Sequence, residues 1–205
     1  MKIIDQSFQI EWHTPDPLET IERIGRICYK SEDKITDDSA SKFVTMLVKR
    51  GHEAMIEHAC LSVRFITDRG VSHELVRHRI ASFAQESTRY VNYGSRDGEC
   101  TFIRPCWYGQ NELADAEWLR SCLDSQNSYI QMLDLEQTPQ QARQVLNNST
   151  KTEIVITANF REWRHFLQLR AVEKAAHPQM RALTMPLYYE LRLRWPEVFD
   201  LGEIQ

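Results

Sequence analysis

The sequence predicts an α+β fold, and two observations carry that reading. Runs that alternate apolar and polar residues, as half-buried strands do, occur at 7–12, 60–66 and 152–160. Runs with helical spacing fall between and after them in clusters instead of following each strand singly, which suits α+β better than a doubly wound sheet.

The first strand alternates through Phe8, Ile10 and Trp12. Asp16-Pro17 then supplies an N-cap and an N1 proline for a helix through Ile21, Ile24 and Cys28. A second helix is expected from about Asp38 through Phe43, Val44, Leu47 and Val48, stopped by Gly51 at C′. Leu61, Val63 and Phe65 alternate in the next strand. Residues 71–79 read as a helix of two turns capped by Ser72, with the arginines at its C-terminus, where the macrodipole favours cations by ~0.3–1 kcal/mol each. Residues 91–111 hold three of the seven glycines and read as a long loop. Helices are expected over 112–136 and, after Thr138-Pro139, over 140–147. The third strand leads into a helix over 161–170 carrying Trp163, Phe166, Leu167 and Arg170. A last helical region, 178–194, contains Pro186, which should kink it or split it in two.

Bulk composition bounds the function. With 42% hydrophobic and 26% charged residues the chain has the balance of a soluble globular protein, and its 205 residues suit one domain over 1–205. No apolar run approaches the roughly 18 residues of a spanning helix, and the acidic, alternating N-terminus lacks the apolar block of a signal peptide. No membrane partner is therefore expected. Five cysteines without a CxxC pair suit reduced thiols and a cytoplasmic location. A net charge of -4 and a pI near 6.0 argue against nonspecific binding to nucleic acid.

Against this acidic background, residues 77–90 (RHRIASFAQESTRY) concentrate positive charge. Arg77, His78 and Arg79 cannot share one helical face, but at a helix end passing into a loop they can fan around one anion. Guanidinium forks bind phosphate bidentately, and the backbone N–H groups of a Ser/Thr-rich turn add donors. Ser87, Thr88 and Arg89 form a second such cluster. A solvated helix end would explain an isolated RHR; the second cluster, in an acidic chain, points instead to anionic ligands.

The stretch resembles the signature of the flavin-dependent thymidylate synthases: Arg-His-Arg, seven residues, Ser, and Arg-Tyr shortly after. Here these are Arg77-His78-Arg79, residues 80–86, Ser87 and Arg89-Tyr90. GHEAMIEH at 51–58, QQARQVL at 140–146 and ANFREWRHFLQLR at 158–170 resemble further blocks of that family, and His177 matches a histidine beyond them. The resemblance implies an antiparallel or mixed sheet flanked by helices, and a homotetramer whose active sites form between subunits. It also implies reductive methylation of dUMP to dTMP. In that reaction 5,10-methylenetetrahydrofolate supplies the carbon, NADPH the electrons, and bound FAD carries the hydride.

By position, Arg77, His78 and Arg79 would hold FAD, with Gln85, Asn159, Arg161 and His165, and with His52, Ala54 and Glu57 bordering it. dUMP would lie against Glu74, Leu75, Val76, Arg77 and the segment Gln85, Glu86, Ser87, Thr88 and Arg89. Arg89 and Arg143 would take its phosphate. Arg170 would be the catalytic residue. A fixed positive charge at the uracil edge stabilises negative charge developing on N3 and the carbonyl, which makes C6 a better hydride acceptor. The spacer at 83–86 would set the distance between flavin and uracil. The chain departs from the family pattern in places. Ala54 replaces a frequent small hydroxyl residue, Glu74 stands where some members have glutamine, and His165 where many have asparagine. The spacing from Arg170 to His177 is also longer than in some relatives. No GxGxxG follows a strand, which is compatible with nicotinamide meeting an open flavin face.

Other chemistries fit less well. Cys106, after Pro105, invites comparison with the cysteine nucleophile of the unrelated folate-only thymidylate synthases, and Arg104 could lower its pKa. The surrounding residues do not match that family, and a small packed residue is the plainer reading. Ser87 has no Ser-His-Asp order around it, so it is assigned to binding. A zinc site is suggested by HEAMIEH, yet His52 and His58 are six apart, about 120° around a helix, and His73 and His78 fail likewise. No metal is expected, and His58 reads as a hydrogen-bonded structural histidine. An RNA-binding module would use the arginines with Tyr90, Tyr93 and Trp107 as stacking platforms, but net charge opposes it. Trp118 and Trp195 are expected in the core.

Overall fold

Strands β1 (Lys2–Ile4) and β2 (Ser7–His13) open the chain in a computed structural model that describes residues 1–96 and 98–202. Helices α1 (Pro17–Tyr29) and α2 (Ser39–Lys49), strand β3 (Cys60–Asp68) and helix α3 (Arg69–Leu75) follow. Next come strand β4 (Ser82–Gln85), helix α4 (Tyr93–Arg96), strand β5 (Thr101–Ile103) and helices α5 (Glu112–Asp134) and α6 (Pro139–Ala142). Strand β6 (Lys151–Asn159) precedes helices α7 (Phe160–Leu167), α8 (Pro178–Arg194) and α9 (Pro196–Phe199). Four strands form one sheet in the order β2-β3-β6-β4, and β1 pairs in parallel with β5, Ile3 opposite Phe102. Hydrogen bonds from Thr14 to Cys60 and from Thr67 to Gln6 run β2 antiparallel to β3. Those linking Thr157 to Ser62 and Arg69 to Thr150 run β3 antiparallel to β6. The α+β class is therefore the one adopted. Among the described residues no helix is long and apolar enough to cross a membrane.

Two compact units divide the chain. The first comprises Met1–Ser7, Phe65–Arg77 and Ala84–Val155; the second comprises Phe8–Arg64, His78–Phe83 and Ile156–Gln205. Cys100, Phe102, Cys122, Tyr129 and Ala142 form a core cluster in the first, with Trp118 packed against it. In the second unit Trp163, Phe160, Phe199, Leu47 and Ile21 are fully buried, and Trp195 nearly so.

Helices α1 and α2 approach closely because Gly25 has no side chain: a Cβ there would come within 2.7 Å of the Phe43 ring. The contact is framed by a buried carboxylate. Glu22 accepts from Arg26 Nη2 (2.7 Å) and Ser39 Oγ (2.8 Å), while the Arg26 guanidinium lies 4.3 Å over Phe43. α2 ends as expected at Gly51, with φ +71°. The Gly51 N–H donates to Val48 and the His52 N–H to Leu47, the two bonds of a Schellman motif.

Several boundaries differ from the sequence reading. Asp16 stands at the N-cap position of α1 but in left-handed conformation, without a side-chain capping bond. α3 starts at Arg69, because Asp68 at the end of β3 caps it by accepting the Val71 N–H (2.7 Å). Ser72, expected as the cap, is buried inside that helix. The segment 91–111 is not all loop. It contains α4 and β5, too short for a periodic signal and stabilised by pairing with the distant β1; Asp97 within it lies outside the described residues. The expected helix over 140–147 shortens to α6 and a 3-10 turn, Arg143–Val145. α7 stops at Leu167, and a π-turn over Gln168–Val172 carries Arg170. α8 runs through Pro186 as one helix. That proline is exposed, so the carbonyl it deprives of a donor can bond to water.

Filling the α1–α2 contact should destabilise the fold. Gly25→Val is expected to cost about 1–3 kcal/mol through overpacking against Phe43, read as a lower Tm by circular dichroism. An unchanged Tm would mean that Phe43 yields freely.

Candidate functional site

In the first unit, the segment leaving β4 is held by a polar brace. Gln85 Nε2 donates to Ser72 Oγ (2.9 Å) and Thr152 Oγ1 (3.2 Å), and the Glu86 N–H donates to the Glu153 carbonyl (2.8 Å). The Glu86 carboxylate accepts from the Tyr93 hydroxyl (3.0 Å), Lys151 Nζ (3.0 Å) and the Glu153 N–H (3.2 Å). Burial, and then the Glu86 carboxylate, raise the Tyr93 hydroxyl well above the ordinary tyrosine range. Tyr93 is thus a structural donor and not a stacking platform. The side chains of Gln85 and Glu86, expected at the ligands, are committed to this brace, and so is the Glu86 backbone, whose carbonyl accepts from Arg69 Nη2 at 3.5 Å. The partners lie 7 to 67 residues away in the chain, so no local pattern announced them.

Beyond the brace the chain turns. The N–H groups of Tyr90 and Val91 donate to the Ser87 carbonyl (3.2 and 3.0 Å), and the Arg89 N–H to Ser87 Oγ (3.3 Å). Thr88 is buried and accepts from Arg143 Nη1 at 3.2 Å, so a residue 55 positions along the chain is brought onto the turn. Arg89 is exposed, its guanidinium 5.4 Å over the ring of Tyr90, itself 79% exposed. The turn thus carries the guanidinium of Arg143 on Thr88, the exposed guanidinium of Arg89 and the hydroxyls of Ser87 and Thr88, residue types suited to a phosphate dianion. Arg77, past the end of α3, is exposed and makes no ion pair among the described residues. Leu75 is wholly buried, so its side chain packs the core instead of facing a ligand. Val76 is exposed, and the carbonyl of the partly buried Glu74 accepts the Arg77 N–H (3.2 Å).

In the second unit, His78 departs from the expected trio of cations around one anion. Arg79 is exposed, but His78 is only 7% exposed, packed edge-on against Phe166 at 4.8 Å. Its Nε2 accepts from Arg170 Nε (3.1 Å), and its Nδ1 lies 3.4 Å from Glu162 Oε1. Burial, followed by the positive Arg170 and then by the neighbouring His165, holds its pKa down to about 4, so the ring of His78 is neutral at neutral pH. The carbonyl of Arg170 accepts from the hydroxyl of Thr184, fully buried in α8, at 2.8 Å. Sequence reasoning missed Thr184; a threonine inside the apolar stripe of Met180, Leu183 and Leu187 was the available signal.

The remaining expected flavin residues also lie in the second unit. Asn159 caps α7, its Oδ1 accepting the Glu162 N–H (2.9 Å), which leaves the amide NH2 available for donation. Arg161 bonds Glu57 (2.6 Å) and lies 3.6 Å from Glu53, so two expected flavin neighbours pair with each other. That pairing raises the guanidinium pKa. His52 Nδ1 shares a hydrogen bond with the Tyr29 hydroxyl (2.8 Å), and Ala54 and His165 are exposed. Arg79, Arg161, His165 and Asn159 each carry donors of the kind a pyrophosphate or a polar heterocycle takes. One expectation fails: Cys106 is exposed, not packed, and His58 is exposed as well. His177 stands at the N-cap of α8, its carbonyl accepting the Arg181 N–H.

Residues 9–197 match the family model of the thymidylate synthase complementing protein. The flavin-dependent thymidylate synthase of Corynebacterium aurimucosum is 36% identical over 199 residues, covering 88% of this chain and 78% of that one. That of Thermococcus onnurineus is 34% identical over 170 residues, covering 80% and 69%. Among solved structures, a UMP/dUMP methylase from Streptomyces cacaoi bound with 5-Br dUMP aligns with a TM-score of 0.82. The alignment covers 98% of this chain and 96% of that one at 20% identity, a likeness of fold.

The neutral His78 sets a pH dependence of stability. An unfolded imidazole takes its proton near pH 6.5, the folded one only near 4, so between these values the unfolded chain binds more protons. Stability is then fully present above about pH 6.5 and is lost toward pH 4, by about 2–3 kcal/mol. Burial raises the Glu162 carboxyl and acts in the opposite sense, so the comparison is with His78→Gln. The parent should lose more Tm on acidification than the variant; parallel curves would show that His78 titrates as an exposed residue does.

Proposed function

The chain belongs to the thymidylate synthase complementing protein family, that of the flavin-dependent thymidylate synthases, and on that footing we propose that it methylates dUMP reductively to dTMP. The carbon comes from 5,10-methylenetetrahydrofolate and the electrons from NADPH, with tetrahydrofolate and oxidised nicotinamide released. Bound FAD supplies hydride transfer between the nicotinamide and the reacting carbon. Hydrogen balances: the C5 hydrogen of dUMP, one hydride and one solvent proton complete one methyl group and two folate N–H groups. The enzyme works as a cytoplasmic homotetramer, with the chain acting as one synthase domain.

The observation that carries this reading is the Arg143–Thr88 bond. It joins two sequence blocks of the family into one cationic, hydroxyl-lined turn. Ser87, Thr88, Arg89 and Arg143 hold the dUMP phosphate there. This contact is the same before and during reaction, so it contributes to affinity more than to turnover. Arg77, Arg79, Asn159, Arg161 and His165 hold the flavin. Arg161 is half exposed, and solvent screens a surface pair of its kind, so leaving Glu57 for a pyrophosphate costs little. Arg170 faces the uracil edge, where its charge stabilises what develops on N3 and the carbonyl as C6 accepts hydride.

The decisive assay is reoxidation of chemically reduced flavin with methylenetetrahydrofolate present. It should depend on dUMP and yield dTMP, and its absence would sink the assignment. Arg89→Ala should weaken dUMP binding about 10- to 100-fold by titration, the value of one charge-assisted contact. An unchanged affinity would remove Arg89 from the phosphate site. Arg170→Ala should retain flavin but lower turnover by about 10²–10³. Full activity in that variant would refute its role.

A further inference from the structure

A carboxylate, an imidazole and a guanidinium stand in line in the second unit. Glu162 Oε1 lies 3.4 Å from His78 Nδ1, and His78 Nε2 accepts from Arg170 Nε at 3.1 Å. Glu162 and His78 are 9% and 7% exposed. Arginine can only donate, so the ring nitrogen it meets must be unprotonated, and the ring proton sits on Nδ1, on the side of the carboxylate. The backbone of the same arginine is fixed as well. Arg170 lies in the π-turn over Gln168–Val172, a geometry frequent at functional positions, and the buried Thr184 hydroxyl donates to its carbonyl at 2.8 Å.

We propose that His78 is a positioning residue for Arg170. It accepts the Nε–H and so fixes the plane of the guanidinium, while Glu162 selects the tautomer and Thr184 anchors the turn. The inference rests on the reading of Arg170 as the residue at the uracil edge. An arginine side chain has many rotamers, and a partner that orders it beforehand removes that entropic cost from the reaction step. The chemistry of the partner matters too. A carboxylate against Nε would offset the positive charge that the reaction uses, whereas a neutral imidazole holds Nε without placing a negative charge there. A second arginine or a lysine there would have no acceptor to offer.

Two variants separate positioning from packing. His78→Phe keeps the ring volume and removes the acceptor; in His78→Gln the side-chain oxygen can replace Nε2. His78→Phe should keep flavin content and dUMP affinity within about threefold of the parent while turnover falls at least tenfold, and His78→Gln should recover most of that loss. In the Arg170→Ala background, His78→Phe should lower turnover no further, since His78 acts through Arg170. Equal losses in the Phe and Gln variants, or an additive loss in the double variant, would overturn the proposal. So would a fall in turnover fully explained by lost flavin. A readout independent of catalysis is the Arg170 Nε–H signal in ¹⁵N NMR, identified by its disappearance in Arg170→Lys. It should exchange slowly with solvent in the parent and in His78→Gln. Exchange as fast as that of exposed arginines in the parent would refute the positioning contact, even if the protein made no dTMP and the functional reading failed for that separate reason.

Discussion

A guanidinium that has to act as a charge is poorly served by a carboxylate that offsets it, and the arginines of the protein differ in the groups that hold them. Arg143 is held by the Thr88 hydroxyl, Arg170 by the neutral His78 ring, and Arg89 lies over the face of Tyr90. Four other arginines meet acids: Arg26 meets Glu22, Arg104 meets Asp5, Arg120 meets Glu117 and Arg192 meets Asp200. In the second group the positive charge is paired with a carboxylate within the fold. Arg161 stands between the two, paired with Glu57 at a half-exposed position where exchange for a ligand oxygen is cheap.

Neutral holders are weaker than carboxylates, so the backbone around them has to be fixed by other means. For Arg143 and its turn the support is the Glu86 brace, in which one carboxylate gathers the Tyr93 hydroxyl, the Lys151 ammonium and a strand N–H. For Arg170 it is the π-turn and the Thr184 hydroxyl. In both cases a polar group with its partners in place supports the backbone near the arginine. Such networks specify one geometry because each member left unpaired would carry a desolvation penalty. The close α1–α2 contact over Gly25 shows the same economy in apolar form, with the buried Glu22 serving Arg26 and Ser39 at once.

The family signature was legible because its residues are adjacent in the chain and few other patterns share them. Longer elements such as α2, α5 and β6 were legible because a helix or strand of that length repeats its burial period several times. Three-residue strands carry no period, and so β1 and β5 were invisible until they paired with each other. The Ser72 cap was misread because Asp68, at the end of β3, competes for the same helix start and lies on the strand side of the boundary. His78 was misread for a different reason: between two exposed arginines a histidine looks cationic, and only burial against Phe166 makes it neutral.

By itself the sequence determined the fold class, the family, and which residue types gather at which chain positions, because these follow from local periodicity and from a contiguous motif. Only the tertiary structure decided which charges are held neutral, which are cancelled, and which side chains of the motif face inward. Gln85 and Glu86 turned out to brace Ser72, Thr152, Tyr93 and Lys151, and His78 to hold Arg170. The physical reason is that protonation and hydrogen-bond commitment depend on burial and on partners 7 to 92 residues away, which a linear pattern does not contain.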